Sequence, residues 1–129
     1  MPTSSLQLDL VIHATHEAGV KVGGIGAVLD GLLSTSAYNE RVDRTILIGT
    51  LDASNSEQMD RLIAPQNRLK IFYSSLHGIS ATEPDLTRQL QRIEQQHNVA
   101  LFYGSRAFGD AQHEVILIDA RHANAQRLN

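Results

Sequence analysis

Hydrophobic residues recur along the chain at two kinds of spacing, and the spacing changes several times. Residues 6–14 begin with alternating leucines and end in a continuous apolar run, which is typical of a buried parallel strand. Similar β-branched and apolar runs predict four more strands, over residues 45–51, 69–75, 99–103 and 114–119. The chain therefore contains several short, buried strands.

Helical spacing falls between these strands. From Gly24 onward, apolar residues recur at the i, i+3, i+4, i+7 positions of an amphipathic helix: Ile25, Val28, Leu29 and Leu32. A short helix is predicted over residues 57–64, ended by Pro65. A longer one begins near Thr82, whose spacing to Asp85 resembles a capping box, and ends at Asn98.

The order of the elements predicts the fold class. Strands alternate with helices, and parallel neighbours need crossover helices, so we expect one α/β domain with a mainly parallel sheet. Residues 34–44 and 104–113 are polar and are predicted to be connections, and the last eleven residues are predicted to contain no helix. No internal repeat or low-complexity segment interrupts this pattern.

Composition and charge exclude several classes of protein. The 129 residues include no cysteine, which excludes a disulfide scaffold and any thiolate metal site. The formal charge of −3, without a Lys/Arg cluster, argues against nucleic acid or an anionic membrane as partner. The apolar run at residues 115–118 is far below the roughly 20 residues of a membrane span. The N-terminus lacks a secretory signal, so we expect a cytoplasmic protein.

The loop after the first strand carries the candidate chemistry. Lys21 is followed by Gly23, Gly24 and Gly26, where a helix begins. Free amides at a helix N-terminus bind anions, glycine allows close approach, and a lysine adds positive charge, so this loop is predicted to hold a phosphate. The glycines match neither the dinucleotide fingerprint nor the P-loop. The alternative interpretation is that they only permit a tight turn.

Other polar residues carry weaker signals. The six histidines lack metal-ligand spacing, so we expect no metal, and His13 is more typical of a satisfied core or edge histidine than of a catalytic one. Arg106 could reach a phosphate, or it could be a solvated arginine paired with Asp110. Ser74 and Ser75 lack the strand-turn-helix context of a nucleophile elbow.

Residues 17–29, from Glu17 through Lys-Val-Gly-Gly-Ile to Leu29, resemble the N-terminal signature of the glycogen and starch synthases. The four-residue step from Glu17 to Lys21 is more similar to the animal and fungal members than to the bacterial ones. Residues 99–106 and 114–119 more loosely resemble a later pair of strands in that family. Together the similar pieces cover about a third of the chain.

The resemblance implies the N-terminal half of a GT-B glycosyltransferase, a Rossmann-like three-layer domain. Such an enzyme transfers glucose from UDP-glucose or ADP-glucose to an α-glucan, with retention of configuration and with no further cofactor. It implies that Lys21, Gly23, Gly24 and Gly26 contact the donor. We expect Glu17 to orient the loop by accepting backbone hydrogen bonds rather than to act as a general base.

We expect the second, nucleotide-binding domain of that family to be absent from this chain, and no catalytic residue is predicted within it. We therefore expect an N-terminal piece that transfers no sugar by itself and that self-associates through the surface where the missing part would dock. The alternative is a flavodoxin-like binding or regulatory module whose glycine loop holds a phosphate-bearing metabolite or nothing.

Overall fold

A computed structural model of the chain describes residues 7–16, 18–19 and 24–120, with the backbone alone at residues 24–27 and 30. The strands are β1 (Leu8–Ala14), β2 (Val42–Thr50), β3 (Leu69–Ser74), β4 (Ile79–Ser80), β5 (Ala100–Phe108) and β6 (Ala111–Asp119). The helices are α1 (Gly24–Leu33), α2 (Ser36–Arg41), α3 (Ser56–Ile63) and α4 (Pro84–His97).

Within the described residues the strands form one sheet in the order β1-β2-β6-β5-β3-β4. β2 pairs in parallel with both β1 and β6, whereas the pairs β6-β5, β5-β3 and β3-β4 are antiparallel. The fold is therefore α/β, as predicted, but the sheet is mixed, and the prediction of a mainly parallel sheet is wrong.

The antiparallel part arises from a hairpin that joins β5 to β6. Phe108 pairs with Ala111, so the turn contains only Gly109 and Asp110. Gly109 has a φ of 62°, and two-residue hairpin loops commonly place glycine at such a positive φ. Most of residues 104–113, predicted to be a connection, are therefore strand, and no crossover helix separates the two strands.

A second predicted connection, over residues 34–44, contains α2 and the start of β2. Thr35 caps α2 by accepting a hydrogen bond from the backbone N–H of Tyr38 (3.3 Å). The helix is polar, so it has no apolar stripe that could have predicted it. α4 also begins differently from the prediction: it starts at Pro84, and Thr82 bonds the Thr87 hydroxyl instead of capping the helix.

Alternate residues of the strands pack into two clusters on opposite faces of the sheet. One cluster joins α1 and α3 to the sheet, and its buried residues are Ala18, Leu33, Leu47, Leu62, Phe102, Phe108, Val115 and Leu117. The other joins α4 to β3 and β5 through Leu90, Tyr73 and Leu101. On this α4 face, β1 leaves Leu8, Leu10 and Ile12 exposed.

Among the helices of the described segments, none has the length and hydropathy needed to cross a membrane. The longest of them, α4, has 14 residues and a polar outer surface.

Candidate functional site

The candidate site lies where the parallel strands end. β1, β2 and β6 run in the same direction and finish at Ala14, Thr50 and Asp119, so their carboxyl ends lie along one edge of the sheet. The loop that leads to α1 leaves β1 at this edge. In open α/β sheets, ligands bind outside the carboxyl ends of the strands.

The first part of this loop folds back onto the sheet. Its backbone continues the β1-β2 ladder, since the N–H of Thr15 donates to the carbonyl of Ile48 (2.9 Å). The chain then turns, with the N–H of Ala18 donating to the carbonyl of Thr15 (3.3 Å), and Ala18 becomes fully buried in the core. The loop is thus part of the packed structure and not only a surface connection.

Gly49 makes this close approach possible. A Cβ at position 49 would lie 2.5 Å from the carbonyl oxygen of Thr15 and 2.9 Å from the Cβ of Ala18. Both distances are shorter than van der Waals contact, so any larger residue would displace the loop. The strand residue Gly49 therefore belongs to the site through its lack of a side chain.

Two side chains from distant parts of the sequence hold the turn in place. The guanidinium Nη1 of Arg106 donates to the carbonyl of Ala18 (3.2 Å). The amide Nδ2 of Asn67 donates to the carbonyl of Gly19 (2.8 Å) and to that of Leu62 at the end of α3 (2.9 Å). The two successive carbonyls of Ala18 and Gly19 are therefore both held by side-chain hydrogen bonds.

The anchored turn borders a cavity of about 290 Å³, called here the edge cavity. Its polar walls come from β2, α3 and the loop, and its floor is apolar. The lining residues are His16, Gly19, Thr50, Leu51, Gln58, Arg61, Leu62 and Leu117. Arg61, with half of its side chain exposed, also pairs with Glu57 one helical turn earlier. Imidazole, amide and guanidinium groups suit a polar or anionic ligand.

The turn that follows β2 fixes the orientation of α3 beside this cavity. Asn55 caps α3 by accepting the N–H of Gln58 (3.1 Å), and the Gln58 side-chain oxygen accepts the N–H of Asp52 (3.1 Å). Buried Asp119 accepts the N–H of Ala53 (3.1 Å), which ties the turn to the end of β6. These contacts hold the polar side of α3 toward the cavity.

Of the predicted site residues, Glu17, Lys21 and Gly23 lie outside the described residues. Gly24 is the first residue of α1 and Gly26 the third. Only residues 20–23 separate Gly19, which lines the edge cavity, from Gly24, so the start of α1 lies within about 18 Å of Gly19. The beginning of a helix leaves several amides without intrahelical partners.

His13 does not line the edge cavity and takes part in a hydrogen-bonded chain. Its Nε2 lies 3.1 Å from the hydroxyl of Tyr38, which lies 2.8 Å from that of Thr45. Burial lowers the pKa of His13 below its ordinary value, and the charge of nearby His113 lowers it further. This environment agrees with the interpretation of His13 as a satisfied histidine.

Arg106 differs most from its prediction. It lies in β5 rather than in a solvated loop, it is only 5% exposed, and its guanidinium stacks over the ring of Phe108 at 4.6 Å. Pairing with Asp110 is therefore wrong, and the residue contacts the loop carbonyl of Ala18 instead. The sequence signal that could have found it is the alternation of Gly104, Arg106 and Phe108 along one face of a strand.

The two serines with a nearby histidine have structural partners. The Ser74 hydroxyl accepts the backbone N–H of His77 (3.2 Å), and the Ser75 hydroxyl donates to Glu94 of α4 (2.6 Å). Neither hydroxyl contacts an imidazole, so within the described residues this segment has no nucleophile and base pair.

No protein-family model matches this chain, and no curated protein matches it significantly.

Proposed function

We propose that this chain is the N-terminal part of a retaining glycosyltransferase that moves glucose from a nucleotide sugar to an α-glucan. In this proposal the domain is the Rossmann-like half of a GT-B fold that binds the donor. It does so through Lys21, Gly23, Gly24 and Gly26, while Glu17 orients the loop. A second domain completes the nucleotide pocket, and the chain by itself transfers no sugar.

The observation that carries the proposal is the meeting of three features at one edge of the sheet. The loop with Lys21 leaves β1 there, the edge cavity opens there, and α1 begins at Gly24 after only four intervening residues. The helix dipole and its free amides favour an anion at this end of α1. His16 and Arg61 add further hydrogen-bond donors on the cavity wall.

This arrangement suits the departure of a nucleoside diphosphate. When the bond between glucose and the donor phosphate breaks, negative charge grows on the leaving phosphate oxygens. Amides and an ammonium already oriented toward those oxygens stabilise that charge without reorganising. In this scheme the loop contributes most in the transition state, and the sugar acceptor approaches from the side of the second domain.

The donor is tested by titrating the ¹⁵N-labelled chain with UDP-glucose and with ADP-glucose. We expect amide shifts in residues 15–26, with a weak affinity because half of the pocket is missing. Lys21→Ala should abolish these shifts. Lys70, the other lysine of the sequence, lies exposed on β3, so Lys70→Ala is the matched control. Shifts that persist in Lys21→Ala would contradict the role of Lys21.

The reaction is tested in a polypeptide that carries both domains. There Lys21→Ala should lower glucosyl transfer about 100-fold with the fold unchanged, because one phosphate contact is lost. Glucosyl transfer catalysed by the 129-residue chain alone would contradict the proposal that a second domain is needed for the reaction. Binding of a phosphate metabolite without any transfer by the longer protein would favour the flavodoxin-like module.

A further inference from the structure

The peptide group between Ala18 and Gly19 is held in one orientation. Its carbonyl accepts a hydrogen bond from the Arg106 guanidinium, and the next carbonyl, that of Gly19, accepts one from the Asn67 side-chain amide. The described chain contains no cis peptide bond, and in a trans peptide the C=O and the N–H point in opposite directions. The N–H of Gly19 therefore points away from Arg106.

That N–H is available to a ligand. Gly19 lines the edge cavity, whereas Arg106 does not. Within the described part of the chain, the N–H of Gly19 has no hydrogen-bond partner. A buried amide without a partner is costly, and an anion in the cavity would satisfy it.

Packing leaves little room for a side chain at position 19. A Cβ at this position would lie 2.9 Å from a methyl carbon of Leu62 and 3.0 Å from one of Leu117. Both leucines are buried in the core cluster, so they cannot easily move aside. Glycine is thus required at this position by the two leucines, and the peptide orientation is held by the hydrogen bonds to the Ala18 and Gly19 carbonyls.

We propose that Gly19 donates its backbone N–H to a phosphate oxygen in the edge cavity and that Arg106 is the positioning residue that presents this donor. The inference rests on the proposed function, which supplies the phosphate. Arg106 acts through the loop: its planar guanidinium, stacked on Phe108, aims Nη1 at the Ala18 carbonyl. A lysine at position 106 would keep the charge but lose the stacked, planar geometry.

Asn67 supports the same orientation from a separate element. It lies in the 3₁₀ turn Pro65–Asn67 after α3 and bridges the carbonyls of Gly19 and Leu62. Loss of Asn67 should loosen the loop less than loss of Arg106, because the Ala18 carbonyl stays anchored. Substitution of Arg106 should therefore disturb the orientation of the Gly19 N–H strongly, and substitution of Asn67 should disturb it less.

The first experiment measures the loop without ligand, by amide hydrogen exchange of the 129-residue chain. We expect Arg106→Met to speed exchange in residues 15–19 about tenfold and Asn67→Ala to speed it less. Arg92→Met, at an exposed position of α4, is the control and should change nothing there. Unchanged exchange in folded Arg106→Met would overturn the positioning role. If Arg106→Met does not fold, Arg106→Lys, which keeps the charge but loses the planar donor geometry, takes its place, and unchanged exchange in that variant would overturn the positioning role.

The second experiment uses inorganic pyrophosphate and the ¹⁵N signals of Gly19, Gly24 and Gly26. We expect pyrophosphate to shift all three in the unsubstituted chain, and Arg106→Met to lose the shift of Gly19 while Gly24 and Gly26 still respond. A merely structural role of Arg106 would weaken all three together. If Gly24 and Gly26 respond but Gly19 never does, the inference fails and the proposed function stands. If none responds, both fail.

Discussion

β1 and β2 are adjacent parallel strands with similar apolar sequences, yet their environments differ sharply. β2 has a strand on each side, and its Leu47 is fully buried. β1 lies at the edge of the described sheet, and its Ile12 is 54% exposed. The comparison shows that an apolar run predicts a strand but not its place in the sheet, which depends on which other strands pair with it.

The two strands also contribute differently to the candidate site. β1 delivers the loop to the carboxyl edge, and β2 provides the glycine that lets the loop fold back onto the sheet. A strand that is paired on both sides offers a rigid platform for such a loop, whereas an edge strand with an open face does not. We therefore expect substitutions in β2 to affect stability more strongly than substitutions in β1.

The largest effect is expected for Leu47→Ala in β2. The change removes a fully buried side chain from the core cluster and leaves a cavity, so the free energy of unfolding should fall by about 3 kcal/mol. Urea denaturation followed by circular dichroism measures the loss. A fall of less than about 1 kcal/mol would mean that β2 is less tightly packed than described.

Gly49→Ala should have the next largest effect. The new methyl group would collide with the Thr15 carbonyl and the Ala18 Cβ, so either the loop moves or the strand bends, at a cost of about 1–3 kcal/mol. The change should also displace the N–H of Gly19 and weaken pyrophosphate binding. Gly31→Ala in α1, where an added Cβ meets no atom within 4 Å, is the matched control.

The sequence predicted the elements with strong hydrophobic periodicity. The helix ended by Pro65 and the helix that ends at Asn98 are both present, and Asn98 has the left-handed conformation expected of a helix end. It did not predict α2, which has no apolar stripe, or the β5-β6 hairpin. The hairpin was missed because glycine, arginine and histidine at its buried positions do not look like core residues.

The candidate site was only partly predictable for the same reason. The order of strand, glycine loop and helix located the carboxyl edge and the start of α1. The anchoring by Arg106 and Asn67 joins positions 88 and 48 residues away from their loop partners, and no local pattern encodes such contacts. Gly49 could not be recognised as a site residue, because the need for glycine at this position arises only from the loop that packs against it.

The pH dependence of stability gives a smaller test, on the covered face of β1. The pKa of His13 is lowered in the folded state, so the fold disfavours its protonated form. Its contribution to stability is complete above the unfolded pKa of about 6.5 and is lost as the pH falls through the lower folded value. Between pH 7 and 5, His13→Gln should therefore lose less stability than the unsubstituted chain. An identical loss in both proteins would show that His13 has the same pKa in the folded and unfolded states.

The smallest effect is expected for Ile12→Ala on the open face of β1. The side chain is more than half exposed, so its loss should cost about 0.5 kcal/mol or less, against about 3 kcal/mol for Leu47→Ala. The comparison is sharpest when both variants are measured at two protein concentrations. If another copy of the chain covers Leu8, Leu10 and Ile12, Ile12→Ala should cost more at high concentration and reduce the apparent mass in sedimentation. If the cost is small at both concentrations, the open face of β1 stays exposed to solvent, and the contrast between the two strands holds in solution.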